Sequence, residues 1–363
     1  MIEHSLGQTI LEVHNQLKQK LKRLSRVALA IYDPQSDTLK TFIHSSEGET
    51  PLAYYQSKLS DIPSLQAIAK SGKARVVRNL ELLNNHPSHH TQQLLKAGYH
   101  SSYTEPLLFN QQLLGFLFFD SDKINYFRDH VIAHLSLYSK LLSTVVVMQL
   151  SSIRTLNGAL VTAREFSRHR DEETANHLHR MSYYSRTIAM KIAAEHNWDD
   201  ESVEYIFRFA PLHDIGKIAI ADSILLKHGR LDPDERIIMK THVAKGEEMA
   251  QLMIEEFGLK VIHHIDILTN IIACHHEHWD GSGYPRGLCG SDIPLEGRIV
   301  AVADVFDALT SERPYKKPWS IDAAFDYLQQ HACSQFDPDC VSAALDSREQ
   351  FIEIHDRYLD RPF

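Results

Sequence analysis

The pattern of apolar residues changes once along this chain, near residue 150 of 363. Before that point, segments such as "RVALAIYD" and "LLGFLFFD" have the apolar, β-branched and aromatic content of strands, and turn-forming residues separate them. After it, segments such as "MSYYSRTIAMKIAAEH" and "GRIVAVADVFDALTS" carry apolar residues at helical spacing. The sequence therefore predicts an α+β domain over residues 1–150, followed by an all-α helical bundle domain over residues 151–363.

A long helix is predicted to connect the two domains. Between Arg128 and about residue 170 the only strong helix breaker is Gly158. A continuous helix of this length favours parallel association of two chains. We therefore expect a homodimer that forms through the N-terminal domain and the connecting helix.

Composition limits the classes of partner. The chain is 43% apolar and 23% charged, which is typical of globular proteins, and its net charge of −9 argues against DNA or an anionic membrane as the main partner. The four cysteines form no C-x-x-C pair and are expected to be reduced thiols. The first residues, "MIEHSLGQTILEVHNQLKQKLKRL", have the pattern of an amphipathic helix and not of a signal peptide, and no apolar run reaches about 18 residues. A cytoplasmic protein that does not span a membrane is expected.

Histidines and carboxylates recur on the apolar stripes of the helical half. Glu173 and His177 are four residues apart, so they share one face of a predicted helix. The other members of this set are His213, Asp214, His242, His275, His276 and Asp304. One inward-facing histidine is more often a hydrogen-bonded core residue, and one aspartate can cap a helix. Burying the whole set without partners would be very costly, so we predict bound metal.

Metal-assisted attack on phosphorus is the chemistry that this set favours. Imidazole and carboxylate ligands without thiolate suit two or three divalent ions, with iron or manganese preferred and nickel, cobalt or zinc as alternatives. Asp214, next to His213, is the natural bridge, and ions about 3.5–4 Å apart would produce a bridging hydroxide that attacks phosphorus. Lys217 lies three residues beyond Asp214 and would serve as a cation or acid. Arg313 and Lys316, in "TSERPYKKPWS", are either phosphate contacts or part of a solvated loop.

Four segments together resemble the HD-GYP family of cyclic-dinucleotide phosphodiesterases over about residues 155–345. They are "RDEETANHLHR", "LHDIGK", "HHEHWDGSGYP" and "EGRIVAVADVFDALTSERPYKK". The resemblance implies a dinuclear centre formed by His213, Asp214, His242, His275, His276 and Asp304. It also implies that Glu173 and His177 complete a third metal position in some members, that Asp214 and Lys217 are catalytic, and that Lys217, Arg313 and Lys316 bind phosphate. Tyr284 and Pro285 match the signature turn at the rim of the substrate cleft, and Asp171 and Asp307 match polar groups that support the ligands.

The resemblance also implies the substrate class. It is a bacterial second messenger, cyclic di-GMP or 3′3′-cyclic GMP-AMP, which is opened to the linear dinucleotide or taken on to mononucleotides. Ala219 and Ala221 stand where Gly and Pro are expected, and "THVAKG" replaces a more usual Thr-His-Pro, which would alter loop closure over the base. Two alternatives stay open: a non-catalytic cyclic-dinucleotide sensor, and an HD phosphohydrolase that acts on linear nucleotides.

The N-terminal half resembles a GAF domain, chiefly in "EPLLFNQQLLGFLFFDS". This family has a Pro-containing apolar strand, a turn and a Leu-Gly strand in that order. The resemblance implies a small-ligand pocket or a dimer interface over residues 1–150. It does not identify a ligand, and a purely dimerising domain is an equal alternative.

Overall fold

The computed structural model describes residues 6–34, 36–46, 56–83, 89–166, 175–261, 264–311 and 317–359. The chain divides into two compact units, Met1–Ser151 and Ser152–Phe363. The first contains a sheet with flanking helices, and the described part of the second is helical apart from one isolated bridge between Ala332 and Phe336. The predicted order of an α+β region followed by an all-α region is confirmed.

The N-terminal unit contains an antiparallel sheet with the strand order β3-β2-β1-β6-β5-β4. The strands are β1 (Leu24–Asp33), β2 (Thr38–Ser46), β3 (Gln56–Lys58), β4 (Arg75–Val77), β5 (Ser101–Phe109) and β6 (Gln112–Ser121). Asn110 and Gln111 join β5 to β6 with φ angles of 48° and 65°. Two left-handed residues in a row form the tight hairpin turn that matches the twist of the flanking strands. This is the turn that the polar "NQQ" segment predicts.

Both faces of this sheet are covered. The helices of the unit are α1 (Leu6–Lys20), α2 (Pro63–Ser71), α3 (His89–Lys96) and the first part of α4 (Asp129–Phe166). Residues of β1 alternate between two apolar clusters: Leu29 packs with residues of α1 and α4, whereas Ala28 and Ala30 pack with residues of α2. The period of two in a strand produces this division.

Helix α4 buries one face and exposes another. Leu135, Leu142 and Val146 lie in the core of the N-terminal unit, whereas Leu137 and Met148 are 62% and 64% exposed. By length and composition alone, the segment Asp129–Met148 could cross a membrane. Its mean hydropathy is 1.6, and 28% of it is buried. That finding corrects the expectation that no segment is long and apolar enough. A single helix of this kind is weak evidence for a membrane span.

The helices of the C-terminal unit are α5 (Ala175–Ile192), α6 (Asp200–Phe209), α7 (Asp222–Leu225), α8 (Pro233–Lys240), α9 (His242–Glu256), α10 (Asp266–Cys274), α11 (Leu295–Thr310), α12 (Ile321–Gln330), α13 (Pro338–Asp346) and α14 (Arg348–Arg357). They pack around two central members, α5 and α11. Tyr184 of α5 meets Phe306 of α11 edge to face at 5.2 Å, and Phe351 of α14 stacks on Tyr184 at 4.6 Å. These aromatic contacts hold α14 against α5, and α5 against α11.

Candidate metal centre

Seven of the predicted ligands come from five segments that the fold brings together. His213 and Asp214 lie between two short 3₁₀ turns, Ala210–Leu212 and Ile215–Ala219. The remaining ligands lie in or next to four helices: His177 in the first turns of α5, His242 at the start of α9, His275 and His276 at the end of α10, and Asp304 within α11. No two adjacent helices could bring these ligands together alone, so the centre depends on the packing of the whole unit.

Gly216 explains how the His-Asp doublet reaches α9. A Cβ atom at this position would lie 1.8 Å from the His242 carbonyl oxygen and 2.6 Å from the Gly246 amide nitrogen. Only a glycine permits that approach between two backbones. The contact therefore brings Asp214 and His242, which are distant in sequence, to the same place.

The potential ligands form two groups that meet at Asp214. The first consists of Asp214, His242, His275 and His276, and the second consists of His177, His213 and Asp304; within each group the potential ligand atoms lie within 4.8 Å of one another. Asp214 Oδ1 is 3.1 Å from His242 Nε2 and 3.5 Å from His275 Nε2, whereas Asp214 Oδ2 is 3.2 Å from His213 Nε2. The two oxygens of one carboxylate thus face the two groups.

Four of the histidines are oriented by a hydrogen bond at the nitrogen that faces away from the centre. In each ring Nδ1 donates: His213 to Ala210 O (2.9 Å), His242 to Met239 O (2.8 Å), His275 to Ile271 O (3.0 Å) and His177 to Asp307 Oδ2 (2.7 Å). A carbonyl or carboxylate oxygen can only accept, so the proton is fixed on Nδ1 and Nε2 carries the lone pair that can bind a metal. This arrangement is the usual one in metal-ligating histidines.

The residues fit a cation at this place. Nε2 of His242 and Nε2 of His275 are buried, and neither makes a hydrogen bond with any described residue. Both direct a lone pair toward Asp214 Oδ1, which is also an acceptor, so three acceptors face one another away from water. A buried cluster of acceptors is unfavourable unless a cation lies between them. Imidazole nitrogen and carboxylate oxygen are the donors that first-row divalent ions accept.

The protonation states agree with ligation. Burial alone would raise the pKa of Asp214, but the Lys217 ammonium, 2.6 Å away, and His213 hold that pKa well below its usual range. Burial and the neighbouring His275 hold the pKa of His276 well below that of a free imidazole. Asp214 is therefore an anion and His276 a neutral imidazole at neutral pH.

The Gly-Tyr-Pro turn places an aromatic ring beside this centre. Tyr284 stacks on His276 with 4.7 Å between ring centroids. The ammonium of Lys240, the last residue of α8, lies over the Tyr284 ring, 4.4 Å from its centroid. Burial raises the pKa of Tyr284, so its phenol stays protonated. Pro285 follows Tyr284 through a cis peptide bond and is exposed.

Glu277 and Gly283 determine the path of this turn. The buried Glu277 carboxylate accepts hydrogen bonds from the Arg286 amide (2.8 Å) and the Leu288 amide (3.1 Å). A Cβ atom on Gly283 would lie 2.2 Å from the His278 nitrogen. The signature glycine is therefore required because the returning chain passes directly over the residues after the histidine pair.

Asp307 lies behind the second group of ligands. Its buried carboxylate accepts from His177 Nδ1, from Arg180 Nε and from Arg180 Nη2. Burial would raise its pKa, but these partners lower it. The other predicted residues of the site, Glu173, Asp171, Arg313 and Lys316, lie outside the described residues.

Sequence reasoning did not identify Lys240, Glu277 and Arg180. Arg180 is three residues after His177, so helical spacing alone places it on the same face of α5. Lys240 precedes His242 by two residues, and Glu277 directly follows the histidine pair. Their roles depend on contacts with backbone or with distant segments, which spacing does not reveal.

The helical half of this chain is similar to known proteins. The HD domain family matches residues 168–340. This part of the chain is similar to an HD domain. The predicted resemblance to the HD-GYP family is also confirmed, because relatives carry the names of cyclic-dinucleotide phosphodiesterases.

Two such relatives are similar over about half of this chain. The cyclic di-GMP phosphodiesterase response regulator RpfG of Xanthomonas campestris is 44% identical over 220 residues, which are 61% of this chain and 54% of that protein. The 3′3′-cGAMP-specific phosphodiesterase 2 of Vibrio cholerae is 38% identical over 190 residues, which are 51% of this chain and 33% of that protein. The chain thus spans about half or less of these relatives.

A solved structure, the GAF domain/HD domain protein from Geobacter sulfurreducens, is similar over 40% of this chain and 96% of its own. The TM-score is 0.34 and the sequence identity is 14%.

Proposed function

We propose that this chain is a metal-dependent phosphodiesterase that hydrolyses a cyclic dinucleotide, either cyclic di-GMP or 3′3′-cyclic GMP-AMP. The observation that carries the proposal is the convergence of buried Nε2 lone pairs of His242 and His275 on one oxygen of Asp214. The names of the two relatives support the substrate class. Their names differ in the ring that is cleaved, so both rings belong to the proposal.

Each ligand group would hold one divalent ion, with Asp214 as the residue common to both. Ions bound there would supply the Lewis acidity that activates water and stabilises charge at phosphorus. We propose iron or manganese, with nickel, cobalt or zinc as weaker alternatives, because nitrogen and oxygen donors without thiolate suit these ions. A third ion would require Glu173 in addition to His177.

Lys217 is placed to act on the substrate directly. Its ammonium contacts Asp214 at 2.6 Å but is 23% exposed, so it lies at the boundary between the buried carboxylate and the space outside it. From there it can donate to a phosphate oxygen or protonate the leaving oxygen. Arg313 and Lys316 are proposed as further phosphate contacts.

Tyr284 would form one wall of the substrate site. Its ring stacks on His276, and the Lys240 ammonium lies over the ring, 4.4 Å from its centroid. A cation at this wall favours an anionic ligand such as a phosphate. Pro285, which directly follows the ring, would limit the movement of the turn.

A side-by-side turnover assay tests the proposal. The protein is stripped of metal, reloaded anaerobically with Fe(II) or Mn(II), and incubated with each cyclic dinucleotide; the metal-free protein is the control. We expect hydrolysis of at least one ring only after reloading, and the ratio of the two rates gives the preference. Tight binding without hydrolysis in every metal would identify a sensor instead, and hydrolysis of linear nucleotides alone would identify a different phosphohydrolase.

We further propose a cytoplasmic homodimer that forms through α4 and the N-terminal unit, with no DNA partner. Leu137, Leu141, Thr144 and Met148 are exposed at spacings of four, three and four residues. That spacing is the heptad pattern by which two parallel helices pack. Packing of two copies of this helix would bury the apolar residues of Asp129–Met148 without insertion into a membrane.

A further inference from the structure

The end of the C-terminal helix contacts the helix turns that carry His177. The Tyr358 ring stacks between two rings of α5, those of His179 at 5.3 Å and Tyr183 at 5.4 Å. One residue further, the Leu359 carbonyl accepts a hydrogen bond of 3.2 Å from Asn176 Nδ2. The segment Tyr358–Leu359 is therefore fixed along the first turns of α5.

Arg180 connects this segment to the metal centre. Its Nη1 donates to the Tyr358 carbonyl at 2.6 Å, and its Nε and Nη2 donate to Asp307, the carboxylate that accepts from His177 Nδ1. Its Nη2 also reaches Ser311 Oγ at 2.8 Å. Arg180 is only 2% exposed. Three successive hydrogen bonds, through Arg180 and Asp307, thus connect the Tyr358 backbone to the potential metal ligand His177.

His177 lies among the contacts that these residues make. Asn176 and Arg180 of α5 donate to the Leu359 and Tyr358 carbonyls, and Asp307 fixes the orientation of the His177 ring itself.

We propose that Arg180 and Tyr358 are positioning residues for the metal group formed by His177, His213 and Asp304. The residues Asn176, Arg180, Tyr358 and Leu359 form a C-terminal clasp that holds His177 in the orientation needed for ligation. Tyr358 lies beyond residue 340, where the match to the HD domain family ends. The inference rests on the proposed function in one respect, since it assumes that this group binds a divalent ion.

Metal titration of matched variants tests the clasp. Tyr358→Ala removes the stacked ring, whereas Tyr358→Phe keeps it and removes only a buried hydroxyl that makes no hydrogen bond with the described residues. Arg180→Lys keeps the charge beside Asp307 but loses the planar fork that reaches three acceptors at once. Bound manganese per chain is measured by mass spectrometry at graded free Mn(II), with Mn(II) electron paramagnetic resonance to distinguish coupled pairs from single ions.

We expect Tyr358→Ala and Arg180→Lys to bind one of the ions about tenfold more weakly, the usual cost of removing support behind a ligand. The other ion should keep its affinity, the coupled signal should change to that of single ions, and Tyr358→Phe should match the original protein. If Arg180→Lys does not fold, the Tyr358 pair carries the test alone.

Three negative outcomes are distinguishable. If the original protein binds no manganese or other divalent ion, the proposed function fails. If it binds two or more ions and Tyr358→Ala retains them all with unchanged affinity, the clasp is wrong. Equal weakening of every ion together with a lower melting temperature would also overturn the clasp, because it would show a general loss of stability.

Discussion

At the scale of single residues, Asp214 connects the two groups of potential ligands and also contacts Lys217. Its carboxylate contacts His242, His275, His213 and Lys217, and it is buried to 3% exposure. A buried anion is tolerated only with compensating positive charge. Lys217 provides one positive charge on the outer side, and the lone pairs of the histidines leave a second position for a cation on the inner side.

The substitution Asp214→Asn should therefore separate charge from shape. Asparagine has nearly the same size but no negative charge, so we expect loss of at least one bound ion and a fall in turnover of more than about 100-fold, beyond the usual cost of altering a residue behind a ligand. Metal content per chain and the rate of cyclic-dinucleotide hydrolysis are the two measurements. Asp234→Asn, which removes an exposed carboxylate from α8, is the matched control. Normal metal content in Asp214→Asn would contradict the assignment of Asp214 as a shared ligand.

The residues of the centre differ in how far the sequence predicts them. Histidines and aspartates on apolar stripes stand out because burial of such groups needs an explanation, and the structure brings His213, Asp214, His242, His275, His276 and Asp304 together. Glu277 did not stand out, because its partners are the backbone amides of Arg286 and Leu288. Nearly every residue type has a backbone amide, so residue patterns do not reveal which amides will be the partners.

At the scale of elements, two backbone contacts determine the geometry of the site. Gly216 lets the turn after Asp214 touch the start of α9, and Gly283 lets the turn that bears Tyr284 pass over Glu277 and His278. Helical periodicity predicts that α9 and α10 exist. It does not predict which turn touches which helix, because that depends on the space that a missing side chain leaves between two segments.

Gly216→Ala tests the first of these contacts. The added methyl group would meet backbone atoms of His242 and Gly246, neither of which can move without shifting α9. We expect a loss of unfolding free energy of about 1–3 kcal/mol, the usual range for overpacking, together with weaker metal binding. Thermal melting and manganese titration measure the two effects. Gly158→Ala is the control, since a Cβ atom there meets nothing within 4 Å in helix α4 and should leave both unchanged or raise the stability slightly. Equal stability of Gly216→Ala and the original protein would mean that the close approach is not required.

At the scale of the whole molecule, the change in apolar pattern near residue 150 predicts the order of fold classes, because strand and helix have different periods of burial. Contacts between distant segments are beyond such patterns. The hydrogen bond from His177 to Asp307 spans 130 residues, and the one from Asn176 to the Leu359 carbonyl spans 183. Both depend on how α5, α11 and α14 pack, and not on any local spacing. Association between chains is a further step of the same kind, since it depends on the apolar surface that each folded chain leaves exposed.

Helix α4 presents such a surface, and its role can be tested by charge. Leu141 is 56% exposed at the centre of the heptad-spaced residues, so Leu141→Lys would place two ammonium groups close together in a parallel pair of helices. We expect the original protein to sediment as a dimer and Leu141→Lys to shift toward monomer at micromolar concentration, with the fold retained by circular dichroism. Ser136→Lys adds the same charge on α4 away from these residues and should stay dimeric. A monomeric original protein, or one recovered in the membrane fraction of cells, would overturn the proposed dimer; in the latter case the apolar residues of Asp129–Met148 would face lipid instead of a second copy of the helix.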